Sequence, residues 1–378
     1  MTSTLPEHLF ANLGDLRVKY ADDESAQNFA LSRTYPAQFS NKNAENAPSY
    51  RQGHKFKFNL NFDAAIVVLR HLNSIVNSKY RHGDSIMKEE LSHPLLRFIW
   101  ADFESESSIV AQSILRYEMQ AVDDPQGRAT VFELFERPAM WNTLWARKPF
   151  QLFHPTVLGR PRGAKMWKVI LPQASVVEES LVEWDGATPL GDHISSLFGR
   201  SVNRRTGDEF VEMFNDPAII RVRYKHTANT QPPATYQDLR QIYIKPRRIK
   251  QDKNDASLLI RAPPEEDKER ILHTLIAVVC CSGQAEEADR IRLYSIVGKP
   301  LSLPTDLNKY AGTYWNIGDA DDAGRVYLLF YGMAPPDPIS GQHEEPIARK
   351  EPNVESLIKA MKASILPIPN EAGEGSSA

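Results

Sequence analysis

Apolar positions follow two rhythms along this chain, and the change of rhythm divides it. Between residues 61 and 145 they recur at helical spacing. Ala65, Val68, Leu69, Leu72, Ile75 and Val76 stand at i, i+3, i+4, i+7, i+10 and i+11, one face of a helix. Asn61 and Asp63 precede them and supply capping side chains for a helix that begins near Asp63. Leu95, Leu96, Ile99 and Trp100 make a second apolar face, and Ile109, Val110, Ile114 and Tyr117 a third. Val131, Leu134 and Phe135 open a short helix that Arg137-Pro138 interrupts, because a proline ring removes a helical donor.

After residue 150 the period shortens towards two. Short strands are predicted at 151–154 and 166–171, with a short helix over 192–198. Ile220, Val222 and Tyr224 alternate with Arg221, Arg223 and Lys225, which predicts a half-buried strand with a basic outer face. Three runs close the series, at 271–280, 291–297 and 325–331. They are rich in β-branched and aromatic residues and bounded by Gly, Pro and Asp, an antiparallel meander. The run 271–280 is the longest and most apolar, so it is expected to lie centrally and to pair with the other two.

The flanks read differently. Residues 1–50 are polar, with Asn, Ala, Ser and Pro clustered over 37–49, and predict a flexible arm or one laid on the surface at Leu9-Phe10 and Leu16. Residues 334–378 begin as a Pro-rich linker. Val354, Leu357, Ile358, Met361 and Ile365 then fit one short amphipathic helix before a flexible tail. The region between, 51–333, is read as one domain, and 42% apolar content supplies a sizeable core.

Charge and cysteine content narrow the chemistry. A net charge of −3 with 25% charged residues favours neither a polyanion nor a membrane surface globally. No run of about 18 apolar residues occurs, so no membrane span is expected. The only two cysteines, Cys280 and Cys281, are adjacent. They cannot form a disulfide framework or a four-cysteine zinc site, and they fit a reducing, cytoplasmic or nuclear, compartment. On a strand one of the pair points inward and the other outward. His154, His193 and His226 lack metal-ligand spacing, so no metal and no cofactor are expected. Lys245, Arg247, Arg248, Lys250 and Lys253 could form a nucleic-acid patch. An exposed basic loop balanced by the acidic run 265–269 is the favoured reading, and nucleic acid is not the expected partner. No G-x-S-x-G, P-loop, G-x-G-x-x-G or H-E-x-x-H phrase appears.

Five phrases resemble the ubiquitin-specific proteases, papain-like deubiquitinases. They are Pro217 to Tyr224; Leu275-Ile-Ala-Val-Val-Cys-Cys-Ser-Gly283; Arg292-Leu293-Tyr294; Trp315 to Asp319; and Val326-Tyr-Leu-Leu-Phe-Tyr331. The resemblance implies an α+β, papain-like fold, with a helical N-terminal lobe packed on an antiparallel β-rich C-terminal part. It also implies β "fingers", which in the family often hold zinc through Cys-x-x-Cys pairs; neither pair is present here. The family's nucleophilic cysteine begins the first long helix, where helix N–H groups stabilise a thiolate. Here that slot falls between Asn61 and Asp63. Leu293 stands at the place of the catalytic histidine, and Asp319 at that of the residue that orients it. The resemblance therefore implies a catalytically degenerate domain that binds ubiquitin, a ubiquitinated protein or a protein complex. Two alternatives stay open: an active cysteine deubiquitinase using Cys280 or Cys281, and a basic-patch nucleic-acid adaptor.

Overall fold

The computed structural model describes residues 14–19, 60–81, 83–90, 93–102, 129–155, 157–170, 176–225, 234–247, 259–260, 270–282, 289–301, 315–318 and 325–334. The helices expected at 109–117 and 354–365, Asp319, His226 and the basic residues Arg248, Lys250 and Lys253 lie outside this set. In chain order the elements are β1 Gly14–Asp15, α1 Leu16–Lys19, α2 Leu60–Ile75, α3 Asp84–Glu90, α4 Pro94–Trp100, β2 Ala101–Asp102, α5 Val131–Phe135 and α6 Pro138–Asn142. Then follow β3 Val157–Arg160, β4 Trp167–Ile170, α7 Val176–Glu179, β5 Leu181–Trp184, α8 Leu190–Ser196, β6 Gly199–Val202, β7 Glu209–Glu212 and β8 Ile219–Lys225. The last are α9 Tyr236–Leu239, β9 Gln241–Ile244, β10 Leu259–Ile260, β11 Ile271–Cys281, β12 Arg290–Leu293 and β13 Val326–Met333. The class is α+β: helices gather in the first half and sheets in the second.

β11 is the spine. It lies inside a six-stranded sheet of order β12-β11-β13-β8-β5, and β9 pairs with it beside β12 on the same edge. The expected central position of this run is what the structure shows, but the meander is not. β12 and β13 flank β11 on opposite sides, because the strand that is apolar on both faces takes the place buried on both faces. A β-bulge at Ile276 breaks the alternation. Ile276 and Ala277 consequently pack into the same core, whereas Val278 and Val279 return to opposite faces. Cys280 and Cys281 point to opposite faces as alternation demands, yet both are buried because both faces are covered.

α2 covers one face. Val68, Leu69 and Leu72 pack with Ile276, Ala277, Ile291 and Leu293, as the periodicity predicts. The helix is buried more fully than one apolar face implies. Arg70, His71 and Asn73 are also inside, and each finds a carbonyl: Ile99 O at 2.6 Å for Arg70 Nε and Leu69 O at 2.9 Å for Asn73 Nδ2. His71 Nε2 lies 3.0 Å from both Ile276 O and Tyr294 O, so the helix is pinned to the bulge. Ile276 O also accepts the Tyr294 N–H at 2.7 Å, so helix, bulge and the residue after β12 share one carbonyl.

Two expectations need correction. α2 begins at Leu60, so Asn61 and Asp63 lie inside its first turn rather than ahead of it. Leu16, one of the apolar residues named for an arm laid on the surface, is buried, and so is Arg17. Arg17 donates to Glu90 at 2.7 Å and to Arg81 O at 2.8 Å, and its guanidinium stacks 4.7 Å from the Trp100 ring centroid. Arg147 takes the other Glu90 oxygen at 2.7 Å, so the buried carboxylate is fully paired. Finally, the basic face of β8 is solvated only towards its end, where Arg223 is half-exposed and Lys225 exposed. Arg221 is buried with its guanidinium 4.5 Å from the Trp145 ring and 4.8 Å from that of Trp141. Arg223 lies 4.6 Å over Phe132. Arginine's planar, weakly hydrated head tolerates an aromatic lining that a lysine would not.

The second sheet, of order β10-β4-β3-β7-β6, has five strands. Its own apolar cluster is small: Leu158, Trp167, Val211 and Met213.

Candidate functional site

The first turn of α2, the end of β11, the start of β12 and the start of α5 meet at one carboxylate. Asp289 Oδ1 accepts the Ser282 N–H at 2.9 Å, and its Oδ2 accepts the Val131 N–H at 2.6 Å. Its own N–H donates to Asn61 Oδ1 at 2.7 Å. Asn61 Nδ2 in turn donates to Ala129 O at 3.0 Å. Asn61 and Asp289 thus join elements 228 residues apart in sequence, and both are buried.

Local sequence explains each part. Thr130 caps α5 by a reciprocal box with Glu133, which fixes the Val131 N–H in place for Asp289. β11 and β12 pair as a hairpin with Cys280 opposite Arg290, so Asp289 stands just outside the ladder beside Ser282. Asn61 enters from below on the helix, with Phe62 in the core next to it.

The electrostatics close the site to ionic chemistry. Burial pushes the Asp289 carboxyl above the ordinary range, against the opposing pull of the Ser282 and Val131 N–H donors. Burial, then the neighbouring Asp289, push the Cys281 thiol well above its usual value. Cys281 is therefore a protonated thiol at neutral pH, a poor nucleophile. Cys280 faces the other core, among Val278, Tyr327 and Leu329. His71 lies on the same helix as Asn61 but ten residues on, about 15 Å along its axis. Burial lowers its pKa to about 4, and its Nε2 proton is committed to the two carbonyls.

Of the positions singled out from sequence, Asn61 belongs to this cluster. Asp63 lies in the same helical turn, and its side chain is outside the described residues. Leu293 does not belong. It sits opposite Ala277, four residues down β12 from Asp289, about 13 Å at strand rise, with its side chain in the main core. The residue that meets the start of α2 is Asp289, which sequence reasoning missed because it stands in a polar stretch without periodicity. The signal available was positional: a lone Asp immediately before the strand that pairs with the end of the apolar run.

A second polar group lies nearby. Arg221, Trp145, Glu136, Leu181 and Phe330 line a cleft between α5–α6 and the sheet. Arg221 Nη2 donates to Val177 O at 3.1 Å. Burial lowers the Arg221 pKa to about 9, and raises that of Glu136 to about 7 against the pull of Arg221 and Arg223.

Among the described residues, no group of three or more His, Cys, Asp or Glu is placed to hold a metal ion, and no helix is long and apolar enough to cross a membrane. No protein-family model matches the chain, and no curated protein matches it.

Proposed function

We propose that the chain is a catalytically silent relative of the ubiquitin-specific proteases that works by binding protein, with ubiquitin or a ubiquitinated protein as its partner. One observation carries the reading: Asn61 and Asp289 meet. The family's resemblance puts the nucleophilic cysteine at the start of the first long helix and the catalytic histidine on the strand after the apolar β11 phrase. In this chain the start of that helix and the start of that strand touch, at Asn61 and Asp289, while Leu293, the histidine's own position in the resemblance, lies about 13 Å further along β12. The helical half packed on β11, the hairpin to β12 and the closing β13 strand also fit a papain-like layout of that family.

The chemistry follows from the side chains. A carboxamide supplies no nucleophile at neutral pH. Both oxygens of Asp289 already accept backbone N–H groups and the residue is fully buried, so its carboxylate ties the junction together rather than meeting a substrate proton. A cysteine protease needs a thiol and a base within hydrogen-bond reach, and removing one member of such a pair usually erases most of the rate enhancement, on the order of a millionfold. What remains is a surface.

Two measurements on the purified chain test this. A fluorogenic ubiquitin substrate should show no turnover above buffer, and titration with ubiquitin should show saturable binding. Turnover that disappears in Cys280→Ala/Cys281→Ala would replace the reading with an active cysteine deubiquitinase. Absence of binding up to about 1 mM ubiquitin, the weak end of specific recognition, would remove ubiquitin as the partner.

A further inference from the structure

The five-stranded sheet ends in a cationic tip that the reading above does not use. β3 pairs with β7 so that Arg160 faces Glu209. The turn after β3 and the turn before β7 therefore lie side by side at one end of the sheet. These turns carry Arg162, Lys165, Arg204 and Arg205, all exposed, and exposed Lys168 follows on β4. Arg160 and Arg200 stand just behind them, and both grip Glu209. Asp208 is the other carboxylate there, and it accepts the Arg162 backbone N–H at 3.1 Å. Among the described residues, six cations thus gather around two engaged carboxylates, with Lys168, opposite Gly159, on the sheet's other face, on a chain whose net charge is −3.

The tip is built rather than frayed. Asn203 Oδ1 accepts the Arg205 N–H at 3.0 Å and the Thr206 N–H at 3.3 Å, and Gly207 N–H closes on Asn203 O at 2.8 Å. Such an Asx turn fixes where Arg204 and Arg205 project. The Arg162 side chain packs on Gly207, joining the two turns. Arg160 lies 4.8 Å over the buried Trp167 ring. Two exposed apolar side chains, Met166 and Val202, flank the charges.

We propose that this tip is a docking surface for an acidic protein segment, rich in Asp and Glu with an apolar residue among them. Three observations favour carboxylates over a nucleic-acid backbone. The sheet already holds a carboxylate between two arginines, in the manner an incoming Glu would be held. No aromatic side chain of the described tip is exposed, so bases would have no ring to stack on. Met166 and Val202 offer apolar contact that a peptide side chain can use and a phosphate backbone cannot.

The test is fluorescence anisotropy on the full chain, with a dye-labelled Asp/Glu-rich peptide containing Leu and, separately, a labelled DNA duplex. The peptide should bind, weaken as salt rises from about 0.05 to 0.3 M, and weaken at least about tenfold on Arg162→Glu/Arg204→Glu/Arg205→Glu. Arg204→Gln/Arg205→Gln gives a second variant that adds no acid to the turn, and thermal melting checks that both variants fold. Peptide binding untouched by either variant, preference for the duplex, or no binding of either probe would overturn the proposal. Because ubiquitin binding and turnover are read separately, failure here leaves the family reading standing, and the reverse also holds.

Discussion

In β11 of the six-stranded sheet nine consecutive residues are buried, whereas in β6 of the five-stranded sheet one residue is buried and three are exposed. The two sheets therefore treat polar groups in opposite ways. In and against the first, key polar groups are enclosed and held: Asp289 by two backbone N–H groups, Arg221 between two tryptophans, His71 by two carbonyls. On the second, Arg160, Arg200 and Glu209 form a ladder in contact with water. Enclosed groups make large, directional contributions when broken, and solvated ones make small, salt-screened contributions. The same contrast assigns roles: the enclosed sheet is the frame, and the solvated one presents side chains outward.

The largest test of this contrast is Asp289→Ala. It strands the Val131 and Ser282 N–H groups in a buried junction of four elements. Losing a buried, hydrogen-bonded charge of this kind should cost about 3–5 kcal/mol, read from urea unfolding. Asp289→Asn should cost less, since one oxygen remains an acceptor. A loss below about 1 kcal/mol for Asp289→Ala would show that the junction is not the frame's tie point.

pH supplies the next test, through His71. Its pKa falls to about 4 by burial, so the unfolded chain takes up the proton first. The sign follows: the neutral imidazole's contribution is intact above about pH 6.5 and is lost as pH falls from there towards 4. Compared with His71→Gln, the wild-type chain should lose stability across that window at up to about 1.4 kcal/mol per pH unit, and show no such relative change above pH 7. A difference between the two proteins that is flat from pH 7 to pH 4 would mean that His71 is not held neutral between the bulge and Tyr294.

What the sequence made legible follows the same division. β11 and α2 could be placed because enclosure forces long apolar runs with a clean period. Arg221 could not, since an alternating arginine is the ordinary mark of a solvated face, and only the tertiary partners Trp141 and Trp145 make its burial tolerable. The site was half legible. Asn61 stands out at the start of a strong helix, while Asp289 owes its role to a hairpin pairing that no local pattern encodes. Leu293 was placed by phrase matching, but its apolar side chain belongs to the core, and four residues of strand separate it from the junction. β3 and β6 escaped because strands of four residues leave little periodic signal.

Two glycines give the smallest and sharpest comparison. At both, an added Cβ would approach another atom far too closely: 2.5 Å from Ile296 Cδ1 at Gly332 in β13, and 2.8 Å from Arg162 Cδ at Gly207 in the β6–β7 turn. At Gly332 the nearest atom ends the half-buried Ile296 side chain, but the next, Ile276 Cγ2 at 3.1 Å, belongs to the enclosed bulge and has little room to give. Gly332→Ala should therefore cost about 3 kcal/mol, the upper end for overpacking. At Gly207 the obstructing atom belongs to an exposed arginine that can swing away, and what remains is the backbone, at φ +76°. Gly207→Ala should cost only about 1–2 kcal/mol, the penalty of a left-handed conformation. The two causes separate by rescue. Gly207→Asn should recover most of the loss, because Asn tolerates that backbone, and Arg162→Ala should recover none of it. At Gly332 the reverse holds: Asn should be worse than Ala, and Ile296→Ala should restore part of the stability. If Arg162→Ala rescued Gly207→Ala, the tip would be as tightly packed as the core, and the division between an enclosed frame and a solvated surface would fail at the place where it predicts the greatest freedom.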